Sequence, residues 1–143
     1  MVWFSSSSSL LVRFFLAGVL LTTASCSGRK PVFPVEGKVL MNGQPTPGAT
    51  VIFHPKDATD KEALFPTGKV NMDGTFLLTT YDAYDGAPAG PYTVTVSWLE
   101  APTVGDDDGK LLVNRRYLSP TTSGLSAEVR AGTNELPPFK LSP

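Results

Sequence analysis

Most of the chain after residue 34 is built from short runs in which apolar and polar residues alternate, broken by Gly- and Pro-rich segments. The sharpest run is Tyr92–Trp98, where Tyr92, Val94, Val96 and Trp98 are interleaved with Thr93, Thr95 and Ser97. Successive side chains of a strand point to opposite faces, so this run predicts a strand with one buried and one wet face. Its phase sets Trp98 in the core rather than on a surface where it would stack on a sugar. Val35–Val39 alternates likewise and leads to Asn42–Gly43, a pair suited to the positive φ of a tight turn. Ala49–His54 follows, with Ala49, Val51 and Phe53 in one phase and His54 turned outward. Gly68–Val70 and Thr75–Thr79 flank Asn71–Met72–Asp73–Gly74, which has the form of a hairpin turn. The last two strands are expected at Leu125–Arg130 and Leu136–Leu141; Pro137 and Pro138 have no ladder donor, which pushes the final strand to a sheet edge.

These runs predict an all-β domain of seven strands, the number and spacing of an immunoglobulin-like sandwich. All 13 Pro and all Gly but Gly18 lie after residue 25, which strengthens that reading. The one helix-like window, Thr59–Glu62, has capping-box spacing and is stopped by Pro66. If every connection reverses chain direction, loops 42–48, 72–74 and 99–124 share one end of the sandwich. Loops 55–65, 81–90 and 131–134 then share the other end with the start of the first strand.

Residues 1–25 differ from the rest: no acidic residue, one Arg, the polar run Ser5–Ser9 and the apolar stretch Phe14–Leu21. They read as an export signal, because a bilayer span needs about 20 apolar residues and this core is shorter. The segment ends Leu21–Thr22–Thr23–Ala24–Ser25–Cys26 and resembles the lipobox of bacterial lipoproteins. That resemblance implies cleavage before Cys26 and lipidation of Cys26, so that the membrane is a partner through the N-terminal lipid. Residues 26–34 are then expected to be a tether and residues 35–143 the sandwich domain. Ser27 rather than Asp follows the Cys, which by resemblance to proteobacterial sorting implies a lipid-anchored envelope protein of the outer membrane.

The order of motifs carries a second resemblance. Val35-x-Gly37-x-Val39, Asn42–Gly43-x-Pro45, Pro47–Gly48–Ala49-x-Val51-x-Phe53, Asp73–Gly74-x-Phe76-x-Leu78 and Ala89–Gly90-x-Tyr92-x-Val94-x-Val96 follow one another. The series resembles carboxypeptidase regulatory-like, transthyretin-like β-sandwich domains. Tyr117, Thr122–Ser123–Gly124–Leu125 and Gly132-x-Asn134–Glu135 look like the small lipoproteins of this type in planctomycete-like bacteria. The resemblance implies the fold and leaves the function open, because each motif serves a turn, a core position or a close backbone approach.

Composition narrows the function classes. A formal net charge of −1 lacks the positive excess that drives binding to phosphate backbones, so no nucleic acid is expected. One Cys and one His leave no disulfide and no multi-Cys or two-His metal site within the chain. No nucleophile elbow, Walker loop or zincin motif occurs, so no catalytic residue and no cofactor is assigned. Asp106–Asp107–Asp108 lacks the alternating register of a calcium loop and reads as a solvated tip rather than a metal site. The leading expectation is a non-catalytic, lipid-anchored extracytoplasmic module for binding or envelope structure. A carbohydrate- or calcium-binding loop module and a small hydrolase are the alternatives. Long connections in compact domains are often functional. The 99–124 connection, with Asp106, Asp107, Asp108, Arg115, Arg116 and Tyr117, is therefore the candidate surface for an envelope protein or glycan.

Overall fold

The computed structural model describes residues 28–59, 62–105 and 109–143. In chain order the strands are β1 (Val32–Phe33), β2 (Val35–Met41), β3 (Gln44–Pro45), β4 (Thr50–Pro55), β5 (Thr67–Lys69) and β6 (Thr75–Leu77). They continue with β7 (Ala87–Pro88), β8 (Gly90–Ser97), β9 (Leu125–Val129), β10 (Asn134–Glu135) and β11 (Phe139–Leu141). A single 3₁₀ turn, Arg115–Leu118, is the only helical element among the described residues.

Two sheets face each other. One is centred on β2, with β3 and β6 antiparallel on one flank and β10 and β11 parallel on the other. The second is the antiparallel order β5-β4-β8-β9. The inward phase is the one the alternation dictates: Val35, Val39, Val51, Phe53, Val94 and Val96 are all buried. Phe53 sits near the middle of the aromatic cluster, its ring centroid 5.5 Å from that of Tyr92, 6.2 Å from Phe139 and 6.3 Å from Phe76. Phe76 lies opposite Gly37 in the β2–β6 ladder. A Cβ at Gly37 would stand 2.4 Å from its ring and one at Gly68 2.9 Å, so these glycines make the space that the ring fills. Tyr92 closes the start of β8 by donating its hydroxyl to the Pro88 carbonyl at 2.7 Å, a tyrosine corner.

All seven expected strands form, and four two-residue strands add to them. Pro137 and Pro138 do more than mark an edge: they split the final run, so that the ladder expected over Leu136–Leu141 resumes only at Phe139. Of the helix-like window Thr59–Glu62, Asp60 and Lys61 lie outside the described residues; Glu62 is in a turn, and Ala63 to Phe65 have no regular secondary structure. Thr95, expected on the wet face, is buried, and its hydroxyl lies 2.9 Å from the His54 imidazole. Trp98 is half-buried at the rim rather than in the core, because β8 ends at Ser97. Its indole N–H donates to the Pro47 carbonyl at 2.9 Å.

The pairings fix the direction of each long strand. β2, β5, β8 and β11 run one way and β4, β6 and β9 the other. The turns after β2, β5 and β8 therefore share one end, the far end, and the connections after β4, β6 and β9 share the opposite end with the start of β2.

Candidate functional site

Three surfaces follow from this architecture. The first is the end that receives the N-terminal segment. Of the expected tether, Cys26 lies outside the described residues, whereas the chain is bonded to the domain from Arg29 onward. The Arg29 guanidinium lies 5.0 Å over the Tyr81 ring and 3.8 Å from the Asp82 carboxylate. The Lys30 N–H donates to the Tyr81 hydroxyl at 3.1 Å. β1 then pairs with β7, and Gly86 approaches the Phe33 carbonyl so closely that no Cβ fits there. Asp85 organises the loop that receives Arg29: its carboxylate accepts the N–H groups of Thr80, Tyr81 and Asp82 at 2.7, 3.0 and 2.9 Å. Burial pushes the Asp85 carboxyl up, and these backbone donors outweigh it, leaving the group below the usual carboxylate range.

The second surface is the far end, where the 99–124 connection divides in two. Leu99 bridges to Leu111, the Glu100 N–H donates to the Lys110 carbonyl at 2.8 Å and the Leu112 N–H to the Trp98 carbonyl at 2.8 Å. Residues 98–100 and 110–112 thus pair as a ribbon arm beyond β8, and Asp106, Asp107 and Asp108 lie outside the described residues. Leu99 and Val104 are exposed in this half of the connection. The second half of the connection belongs to the domain body. Asn114 caps the 3₁₀ turn by accepting the Arg116 N–H, and Val113 and Tyr117 are buried in the core.

This corrects the expected accessibility of Tyr117, which is 1% exposed. Arg116 stacks 4.6 Å over the Tyr117 ring and donates to the phenol oxygen at 2.6 Å and to the Ser142 hydroxyl at 2.9 Å. The phenol oxygen also accepts the Ser142 N–H at 2.9 Å. Burial pushes the Tyr117 phenol up, and the Arg116 and Ser142 hydrogen bonds outweigh it, so that its pKa falls below the ordinary value. Arg116 and Tyr117 form a latch over the segment after β11, and Arg115 is left exposed beside it. The sequence reading missed this turn; Asn114, a residue suited to an N-cap, is the signal that could have marked it.

The third surface has no counterpart among the expected site residues. β9 is paired only with β8, and β10 and β11 only with β2, so two sheet edges face each other along one side of the sandwich with no strand between them. They border an open groove of about 770 Å³. Leu125, Ala127, Leu136 and Phe139 supply its apolar lining, and Lys56, Glu128, Arg130 and Lys140 stand around it. Unpaired edges present rows of backbone donors and acceptors, and natural sheets guard such edges with Pro and charge. Pro137–Pro138 and the exposed Glu128–Arg130 pair, 3.5 Å apart, are guards of that type. The groove was hidden from the sequence because it depends on the order of strands across two sheets.

His54 is half-buried, shared between Thr95 and the Phe65 ring 5.5 Å away, and burial lowers its pKa. Among the described residues no group of three or more His, Cys, Asp or Glu is arranged to hold a metal ion.

The fold defines the class: an all-β sandwich with one open side. Comparison with known proteins adds little to it. No protein-family profile and no curated protein matches the chain. Among solved structures it is similar to a DUF3823 family protein from Parabacteroides merdae, with a TM-score of 0.40 and 12% identity. That match covers 80% of this chain, which spans 46% of the neighbour's length.

Proposed function

We propose that this chain is a lipid-anchored, non-catalytic binding module of the cell envelope, of the carboxypeptidase regulatory-like, transthyretin-like type, carried on the outer membrane by an acylated Cys26. The observation that carries this reading is the course of the N-terminal segment. From Arg29 onward it is bonded to one end of the sandwich, which leaves Cys26 three residues of chain from that end. The groove between β9 and β11 and the ribbon arm are then both open to a partner. Binding rather than hydrolysis is supported by the side chains that would otherwise do chemistry, since His54 is engaged with Thr95, and Tyr117 with Arg116 and Ser142.

The partner that best fits the groove is an envelope protein offering an extended segment, because the edge stretches that the Pro137–Pro138 and Glu128–Arg130 guards leave open supply backbone hydrogen bonds and the apolar lining takes alternate side chains. The arm is the second reading, favoured by the exposed Leu99 and Val104. Mass spectrometry of detergent-extracted protein should show an acyl mass on Cys26, and Cys26→Ala should release the domain to the soluble fraction. Photo-crosslinking from Ser126 in intact cells should capture one defined envelope protein, and Leu136→Lys should abolish that capture. If deletion of Gly105–Gly109 abolishes it and Leu136→Lys does not, the arm is the binding surface.

A further inference from the structure

Residues 26–34 are expected from the sequence to be a tether, and a free tether of that length would leave the domain able to tilt on the membrane. The bonds of this segment to the loop after β6 remove most of that freedom. With the proposed cleavage before Cys26, only Cys26, Ser27 and Gly28 precede the residue that stacks on Tyr81, and three residues reach about 10 Å when extended. The attachment is also held from several directions. Arg29 meets Tyr81 and Asp82, β1 pairs with β7, and the Gly86 backbone lies against Phe33.

The surface around the attachment is also balanced in charge. Among the described residues of segments 28–34, 56–66, 78–86 and 130–133, at the tether end, Arg29, Lys30, Lys56 and Arg130 stand against Asp57, Glu62, Asp82 and Asp85. An envelope bilayer with anionic lipid neither attracts nor repels a neutral surface of this kind.

Resting on the acylation of Cys26 proposed above, we infer that the tether end is a membrane seat. The connections after β4, β6 and β9 lie on the headgroup surface of the bilayer that holds the acyl chains, and the long strands run along the membrane normal. The occupant of this surface is the lipid headgroup layer, not a second protein. Two consequences set the seat apart from simple electrostatic adsorption. It is independent of salt, because the seated end is neutral, and it depends on the length of chain between Cys26 and Arg29.

The test uses the full lipidated protein in vesicles of phosphatidylethanolamine and phosphatidylglycerol. An environment-sensitive fluorophore is attached at Ala83→Cys, beside the Arg29 contact, or at Met72→Cys in the far turn. Both parent residues are exposed. The Ala83 label should be blue-shifted and several-fold less accessible to aqueous iodide than the Met72 label, with the same ratio at low and high salt. Inserting about ten Gly and Ser residues between Ser27 and Gly28 adds a flexible span of ~17 Å, which should equalise the two labels while the protein stays on the vesicles. Equal quenching of both labels in the vesicle-bound parent protein would overturn the seat and leave the anchor standing. A protein with no acyl mass that fails to co-float with vesicles would overturn both.

Discussion

The two long sides of this sandwich are finished in opposite ways. On one side the 70–74 turn carries the chain from β5 in the second sheet to β6 in the first, and Val70, Phe76 and Leu78 are buried behind it. On the other side β9 and β11 face each other unpaired, and Leu125, Ala127 and Leu136 remain half-exposed. The difference lies in the connections. A short turn between sheets closes the first side, whereas the chain after β9 passes to the far flank of β2 and enters it parallel. One side therefore holds the fold together and the other is left available for recognition.

The sharpest way to break this comparison is to remove Phe76. It is fully buried between two glycines that have no side chains with which to fill the void, so Phe76→Ala should cost about 3–5 kcal/mol in denaturant unfolding. A loss under about 1 kcal/mol would mean that the closed side is not what stabilises the domain. The next effect is at the Tyr92 corner. Tyr92→Phe removes one buried hydrogen bond and should cost about 1 kcal/mol. Burial pushes the Tyr92 hydroxyl up to about 12, above its ordinary value of 10. The folded state thus keeps a proton that the unfolded chain releases. Stability is then unaffected below pH 10 and falls as the pH rises from 10 to about 12. Tyr92→Phe should flatten that slope; an unchanged slope would assign it to other groups. The smallest effect belongs to the open side, where Leu136→Lys should shift stability by under about 1 kcal/mol. A larger loss would show that the groove is part of the core.

The strand readings succeeded where the period of two extends over several residues. Tyr92 to Val96 and Ala49 to Phe53 needed nothing else, because each run has one face against the opposite sheet. The failures occur where the local pattern meets a tertiary partner. Thr95 has the phase of a wet residue and is buried because His54 stands beside it. Trp98 continues the apolar phase for one position after the sheet has ended. Strands of two residues, such as β1 and β7, have no period to read, and so the bonds that stitch the N-terminal segment to the domain were not foreseen. Tyr117 read as a loop aromatic and is a core residue, since a long connection can contribute half of itself to the interior. For the candidate site, residue chemistry pointed at charged side chains, whereas the groove is made by unpaired backbone along β9 and β11, which are close in sequence and stand at the edges of different sheets.

The parallel entry of β10 and β11 beside β2 also has a kinetic consequence. β2 is the central strand of its sheet, and one flank is supplied only when Asn134 comes to lie opposite Val35 and Phe139 opposite Val39. These pairings join segments separated by most of the chain, the kind of contact that slows folding because a large loop must close before the pairing can repay its entropy. A nascent chain lacking residues 134–141 has its apolar second strand uncovered on one side, so it stays incompletely folded until those residues are present.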